Sequence, residues 1–136
     1  MIEFNLQRVD FSDNVKVDCK ISYEKGQSIT NLQYSDHEFG SLTFAGSDLF
    51  SALEQIRKYL EDKGFLLLCA GAMPNTYPSR MSRQMSNGRK AYVHTFGMKP
   101  DKSNIIDIFK PANLEEVSNL KDQEKFMKEW HDYFKE

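Results

Sequence analysis

The sequence is poor in cysteine and contains none of the common catalytic or phosphate-binding motifs. Its two cysteines, Cys19 and Cys69, are too far apart for a CxxC pair or a zinc-ligand spacing. Both lie in apolar, strand-like stretches, which predicts buried, reduced thiols of the kind kept in a reducing cytosol. No P-loop, GxGxxG, GxSxG or HExxH pattern occurs. The sequence therefore gives no support to an enzyme of any of these classes.

Metal-ligand spacings are also absent. The three histidines, His37, His94 and His131, form neither an HxH nor an HxxxH pair. A thiol–imidazole nucleophile built from Cys69 and His94 would need an exposed thiolate, whereas Cys69 ends a leucine-rich stretch. We therefore expect no metal site, no cofactor and no catalytic residue.

Long apolar runs are missing as well. The longest covers residues 65–72 and is too short to span a membrane. The first residues include acidic side chains and no long apolar run, so they are not expected to be a signal peptide. A hydrophobic content of 40% and an aromatic content of 12% argue for a folded chain. These features predict a single domain of residues 1–136, located in the cytoplasm and without membrane contact.

Acidic residues are absent from one long stretch, residues 63–100, which we call the basic segment. It carries six of the 18 basic residues, so the rest of the chain has 12 basic and 20 acidic residues. The net charge of −2 gives no reason to expect a nucleic-acid partner. A stretch of this length between strand-like runs is typical of a functional loop. We therefore expect the function to lie in the basic segment.

Periodic patterns in the first half predict an antiparallel sheet followed by a helix. Apolar and polar residues alternate in the strongest strand patterns, so one face of each strand is expected to be wet. The predicted strands cover residues 2–6, 15–24, 28–34 and 39–44. A helix is predicted over residues 48–63, with Ser47 as its N-cap and Gly64 after its end. Its apolar stripe consists of Leu49, Leu53, Ile56 and Leu60.

The second half is predicted to add strands and a last helix. Residues 65–69 are wholly apolar, which indicates an inner strand buried on both faces. The other predicted elements are strands over 91–96 and 105–109, a helical turn over 113–117 and a helix over 119–134. The order β-β-β-(β)-α-β-β-β-α predicts an α+β fold, with a mixed, mostly antiparallel sheet of five to seven strands and two main helices.

Residues 74–90 of the basic segment are the candidate binding site. If Ser79 caps a short helix there, backbone N–H groups and arginines would cluster at its first turn and could hold a phosphate or carboxylate. The candidate ligand-binding residues are Tyr77, Ser79, Arg80, Ser82, Arg83, Arg89 and Lys90. Alternatively, the arginines pair with acidic residues of the protein itself and fasten the loop. Four methionines, Met73, Met81, Met85 and Met98, could likewise form an adaptable contact surface or fill gaps in the core.

Several stretches resemble a known family when they are taken together. They are residues 65–72, 77–85, 88–92 and 105–109, together with Trp130, and the resemblance spans residues 66–130. The sequence resembles small, uncharacterised bacterial cytosolic proteins, of the kind found beside polymorphic or contact-dependent toxins. The resemblance implies a cytoplasmic protein with a possible immunity role, and it supplies no catalytic residue.

Three functions remain open at this point. The first is a protein-binding module, specifically an immunity protein whose acidic surface meets a basic toxin domain, since opposite charges speed association. The second is a small enzyme or ligand-binding protein that uses residues 74–90 to hold an anionic group. The third is a structural or regulatory domain in which the loop only packs.

Overall fold

The computed structural model describes residues 1–26 and 29–135, and these residues contain eight strands and three α-helices. The strands are β1 (Ile2–Asp10), β2 (Lys16–Tyr23), β3 (Thr30–Asp36), β4 (Gly40–Gly46), β5 (Phe65–Leu67), β6 (Thr76–Tyr77), β7 (Lys90–Val93) and β8 (Ile105–Asp107). The helices are α1 (Leu49–Asp62), α2 (Arg80–Ser86) and α3 (Leu120–Tyr133), and two 3-10 turns cover Ala70–Ala72 and Leu114–Glu116. Residue 28, the first of one predicted strand, lies outside the described residues.

The strands form two antiparallel sheets, which confirms the α+β fold. The larger sheet has the order β4-β3-β2-β1-β5, and the smaller one has the order β6-β7-β8. We expected one sheet, and the difference arises because β6 and β7 of the basic segment pair with each other, and β7 with β8, and not with the larger sheet. The two-residue strand β6, which pairs with β7, was not predicted because two residues carry no readable alternation.

The larger sheet has one buried face and one polar face, as the alternation in β2 predicts. Cys19 and Ile21 are buried, whereas Lys16 and Lys20 on the opposite face are exposed. Lys20 forms an ion pair across the wet face with Glu3 of β1 at 3.5 Å. The buried face therefore meets the helix α1, while the other face remains in contact with solvent.

The prediction of an inner strand over residues 65–69 is wrong. β5 has three residues, pairs only with β1 and is the last strand at its end of the sheet. Leu68 and Cys69 are nevertheless buried, because the segment around Pro111 covers this edge: Cys69 bridges to Pro111, and the Ala112 N–H donates to the Leu68 carbonyl. The apolar run therefore reflects burial beneath the segment around Pro111. A sequence pattern does not distinguish this kind of burial from that of a central strand.

α1 packs its apolar stripe on the larger sheet, but its cap differs from the expectation. The N-cap is Asp48 rather than Ser47, and the Asp48 carboxylate accepts a hydrogen bond from the Ser51 N–H at 2.8 Å. Leu49, Leu53, Ile56 and Leu60, which form the stripe, are all buried.

α3 packs beside α1 around buried polar side chains that we call the Arg57–Gln123 cluster. Arg57, 1% exposed, donates to the side chain of Gln123 at 2.6 Å and to the carbonyl of Ser118 at 3.0 Å. Gln123 in turn donates to the carbonyls of Gly71, Met73 and Thr76 at 2.8–3.0 Å. One glutamine thus connects α3 to the segment that leads into β6. Of the two residues that could cap this helix from the sequence, Ser118 and Asn119, the N-cap is Asn119.

Candidate functional site

The chain enters the candidate site through a tight turn under α1. Gly71 lies in the 3-10 turn, and a Cβ atom at this position would lie 2.6 Å from the Leu53 side chain and 3.1 Å from that of Ile108. Only glycine fits this approach without displacing the core. The residues that follow, β6, α2 and β7, are therefore fixed at their root by close packing as well as by the Arg57–Gln123 cluster.

α2 forms where the sequence predicts a capped turn. The Ser79 hydroxyl accepts a hydrogen bond from the Ser82 N–H at 3.0 Å, which confirms Ser79 as the N-cap. The helix ends at Asn87, whose φ of 54° places it in the left-handed region. None of the seven residues of α2 is buried. The helix therefore lies on the surface and depends on side-chain ties to the body.

Arg83 provides the main tie between α2 and α1. Its guanidinium donates to Asp48 at 2.8 Å and lies over the rings of Phe50 and Tyr77, 5.4 and 5.3 Å from their centroids. Burial alone would lower the pKa of Arg83, but the hydrogen bond and charge of Asp48 outweigh it and raise this pKa. The same carboxylate also caps α1. One acidic side chain therefore fixes two helices.

The backbone at residue 88 passes close to the Asp48 carboxylate, which explains why this residue is glycine. Gly88 has a φ of +76°, which favours glycine, and a Cβ atom there would lie 2.9 Å from the Asp48 carboxyl carbon. The turn after α2 therefore needs glycine to leave room for the carboxylate.

Arg89, directly before β7, forms a separate set of polar contacts. Its guanidinium contacts Asp107 of β8 at 2.9 Å and donates to the Tyr23 hydroxyl at 2.9 Å. The hydrogen bond that Arg89 donates to Asp107 raises the pKa of Arg89 more than burial lowers it. Arg83 and Arg89 thus pair with acidic residues of the protein itself, as one of the two alternatives for the loop arginines states.

The seven candidate residues do not meet at one place. Tyr77, Ser79, Arg80 and Arg83 line a cleft between α2 and α3, whereas Arg89 and Lys90 line another, between α2 and the β2–β3 connection. Ser82 is hydrogen-bonded to Ser79. Arg80 and Lys90 are exposed, and neither forms an ion pair with a residue in the described part of the chain. The two free cations therefore belong to different clefts.

The cleft between α2 and α3, which we call the aromatic cleft, has a volume of about 480 Å³. His94 is one of its lining residues, with a ring centroid 4.5 Å from that of Trp130 and 5.9 Å from that of Tyr92. The lining residues are Tyr77, Pro78, Ser79, Arg80, Arg83, Tyr92, His94, Pro100, Met127, Trp130 and His131. Sequence reasoning missed the histidines and Trp130 as neighbours of Arg80, because His94 and the adjacent pair Trp130 and His131 come from two other parts of the chain.

His94 is buried and neutral in character. Burial lowers its pKa, an effect that the Tyr77 backbone offsets only in part and to which nearby His131 adds. Its Nδ1 atom has no hydrogen-bond partner within residues 1–26 and 29–135. The cleft therefore presents an uncharged imidazole ring among aromatic side chains.

Both thiols are buried, as predicted. Burial raises the pKa of Cys19 to about 12 and that of Cys69 to about 11. The thiols are thus protonated at neutral pH, whereas a cysteine nucleophile reacts as the thiolate. The geometry gives no support to a reaction at Cys69.

The methionines of the basic segment divide into two groups. Met73 is 8% exposed and fills the core, whereas Met81, Met85 and Met98 are 67%, 81% and 58% exposed. Met81 and Met85 are four residues apart on α2 and therefore share one face of the helix. This face is apolar and exposed, and it does not pack against the core.

Within residues 1–26 and 29–135, no group of three or more His, Cys, Asp or Glu side chains is placed to hold a metal ion. No helix in the same ranges is long and apolar enough to cross a membrane. In comparisons with known proteins, no family model matches the chain, and no curated protein gives a significant match. The family resemblance and the immunity role that it implies stay predictions, so the site has to be interpreted from its own geometry.

Proposed function

We propose that this protein is a protein-binding module, specifically a cytoplasmic immunity protein that neutralises a bacterial toxin by direct binding. The observation that supports the proposal most is the outer face of α2. Met81 and Met85 are exposed there on a helix without a buried residue, in a segment without acidic residues. Methionine is flexible and polarisable, and it adapts well to a partner's surface.

The ties beneath α2 favour binding because they order the helix in advance. Arg83 holds it to Asp48, and the Leu49 N–H donates to the Asn87 carbonyl at 2.8 Å at its end. Asn87 also donates to the Thr30 hydroxyl at 3.1 Å. Association costs conformational entropy when a binding segment must be ordered, and a segment that is already fixed avoids much of that cost.

The acidic excess of the remaining chain supports a basic partner. Outside the basic segment, 20 acidic residues stand against 12 basic ones. An acidic surface increases the association rate with a basic protein and makes this rate sensitive to salt. In this proposal, the acidic body steers the toxin domain towards the protein, and the face of α2 makes the apolar contact.

The first test is site-specific photo-crosslinking in the cells that produce the protein. A photoreactive phenylalanine analogue replaces Met85 in one variant and Val15 in the other. Val15 is an equally apolar, 55% exposed control near the opposite end of α1. We expect a protein adduct from position 85 that is absent from position 15. The same adducts at both positions, or none at position 85, would overturn α2 as the contact surface.

The second test decides whether the partner is a toxin. The partner captured by crosslinking is expressed in a sensitive host together with the wild-type protein, a Met81→Lys/Met85→Lys variant or the control Val15→Lys. We expect wild type and the control to restore growth, and the double variant to fail although it folds. A partner that does not impair growth would disprove the immunity role while leaving protein binding in place.

A further inference from the structure

The aromatic cleft differs from the neighbouring cleft between α1 and α3 in the charge of its lining. The two clefts share Tyr77, Met127 and His131, but Glu54 and Glu124 line only the neighbouring one, together with Lys58 and Lys128. Within the described residues, no Asp or Glu lines the aromatic cleft. A negatively charged group therefore meets carboxylates in one cleft and none in the other.

Arg80 is the cation of the aromatic cleft that is free to bind. Arg83 in the same wall is neutralised by Asp48 at 2.8 Å, whereas Arg80 forms no ion pair with residues of ranges 1–26 and 29–135. A planar guanidinium binds a carboxylate through two parallel hydrogen bonds, which also fixes its orientation. The charge of the cleft thus points to an anionic group next to Arg80.

The rest of the lining favours a flat ring. Tyr77, Tyr92 and Trp130 contribute aromatic side chains, and the neutral imidazole of His94 packs 4.5 Å from the indole, measured between centroids. Aromatic rings pack against one another in offset or edge-to-face arrangements that contribute beyond simple area burial. A purely aliphatic anion of the same charge would not use these contacts.

We propose that the aromatic cleft binds a small aromatic carboxylate, whose ring packs against Trp130 and Tyr77 and whose carboxylate pairs with Arg80. The volume of about 480 Å³ lies in the range of small-molecule sites, which combine apolar walls with a few polar groups. This site goes beyond the proposed protein-binding role and does not depend on it, because the outer face of α2 is not part of the cleft lining.

The test uses the chain's single tryptophan as its own probe. Trp130 donates its indole N–H to the Met98 carbonyl at 2.9 Å, so the protein has one indole N–H resonance, located at the cleft. This resonance is followed by NMR during titration with 1-naphthoate, with 1-naphthamide as the uncharged control and acetate as the control without a ring. We expect a saturable shift with naphthoate, binding at least about tenfold weaker for the amide, and no saturable shift with acetate.

Variants then locate the charge contact. We expect Arg80→Ala to weaken naphthoate binding about tenfold or more, and Arg80→Lys to restore part of the affinity. Lys90→Ala, which removes an exposed cation of the other cleft, should leave the dissociation constant unchanged. Equal affinity for the amide, unchanged affinity of Arg80→Ala, or the lack of a saturable shift up to about 10 mM naphthoate would overturn the proposal.

Discussion

The larger sheet with α1 and the region of residues 68–113 are held by different kinds of contact. Ile21, Leu32 and Leu53 in the first region are fully buried and belong to one apolar core. In the second region, Ile108 and Phe109 join that core, but α2 has no buried residue and is held through Arg83, and Arg89 and the Arg57–Gln123 cluster add further polar contacts. Apolar packing is general, whereas each polar tie needs one particular partner. We therefore expect the second region to loosen more readily than the first.

The largest effect is expected where the polar ties converge. Gln123→Leu removes the acceptor of one Arg57 N–H and the donor to the Thr76 carbonyl. The Gly71 and Met73 carbonyls each lose one of two hydrogen bonds, because they also accept from Arg57 and from the Thr76 N–H. A buried charged donor and a buried carbonyl that are left without partners cost about 1–3 kcal/mol or more each, so we expect a loss of about 3–5 kcal/mol of stability, measured by urea unfolding. The exposed control Gln55→Leu on α1 should change stability by no more than about 0.5 kcal/mol.

Hydrogen exchange of the same variant separates the two regions. Protection of amides in residues 71–76 should fall more than protection in β2 and β3, because the lost bonds end in the first of these ranges. Equal loss in all three ranges would show that the regions unfold as one unit.

A core truncation in the first region should give a slightly smaller but more uniform loss. Ile21, 0% exposed in the centre of β2, loses three carbon atoms in Ile21→Ala and leaves a cavity against the core. We expect a loss of about 2–5 kcal/mol in urea unfolding. Lys20→Ala, on the wet face of the same strand, is the matched control and should be nearly neutral. In hydrogen exchange, a loss of protection limited to β2 would contradict a shared core.

The first region also contains a buried polar contact between Arg8 and Asp36, and its contribution to stability should depend on pH. Burial would raise the pKa of Asp36, but hydrogen bonds from the Phe39 N–H, the Tyr34 hydroxyl and Arg8 outweigh it and hold the pKa at about 2. A depressed carboxyl pKa stabilises the fold above the unfolded value of 3.8, and this contribution is lost as the pH falls through about 2. It amounts to about 2 kcal/mol, because the side chain is fully covered.

The measurement compares unfolding free energies of wild type and Asp36→Asn between pH 6 and pH 2. Wild type should lose about 2 kcal/mol more than the variant over this interval. The variant itself starts from a lower stability because Arg8 loses one of its two carboxylate partners. The test therefore compares the slopes of the two curves and not their starting values. Parallel curves would show that Asp36 titrates alike in the folded and unfolded chain.

The same contrast explains how much of the structure could be predicted. Alternation in β2 and the stripe of α1 are local patterns, so strands and helices of the first region were placed within a few residues. The cap at Ser79 was equally local. The partner of Arg83, however, is 35 residues away, and that of Arg57 is 66 residues away. A sequence shows that an arginine is present, but only the tertiary fold shows which acceptor it reaches.

The candidate site follows the same rule. Residues 74–90 could be singled out because charge and turn residues are properties of the sequence itself. Arg80 lies near Trp130 and the two histidines because α3 packs beside α2. No spacing of residues in the sequence indicates this arrangement. The edge position of β5 was misjudged for a related reason, because the segment that covers it lies more than forty residues downstream, at Pro111.

The smallest effect, and the sharpest comparison, comes from two arginines in the same helix. Arg83→Ala removes the ion pair with Asp48 and two ring contacts, while Asp48 stays largely covered. We expect a loss of about 1–3 kcal/mol. Arg80→Ala, one helical turn earlier and without an ion-pair partner among the described residues, should stay within about 0.5 kcal/mol. Thermal unfolding of both variants beside wild type measures the difference directly. Equal destabilisation would mean that Arg80 is also a structural tie, and its assignment as the free cation of the aromatic cleft would then fail, whatever the outer face of α2 binds.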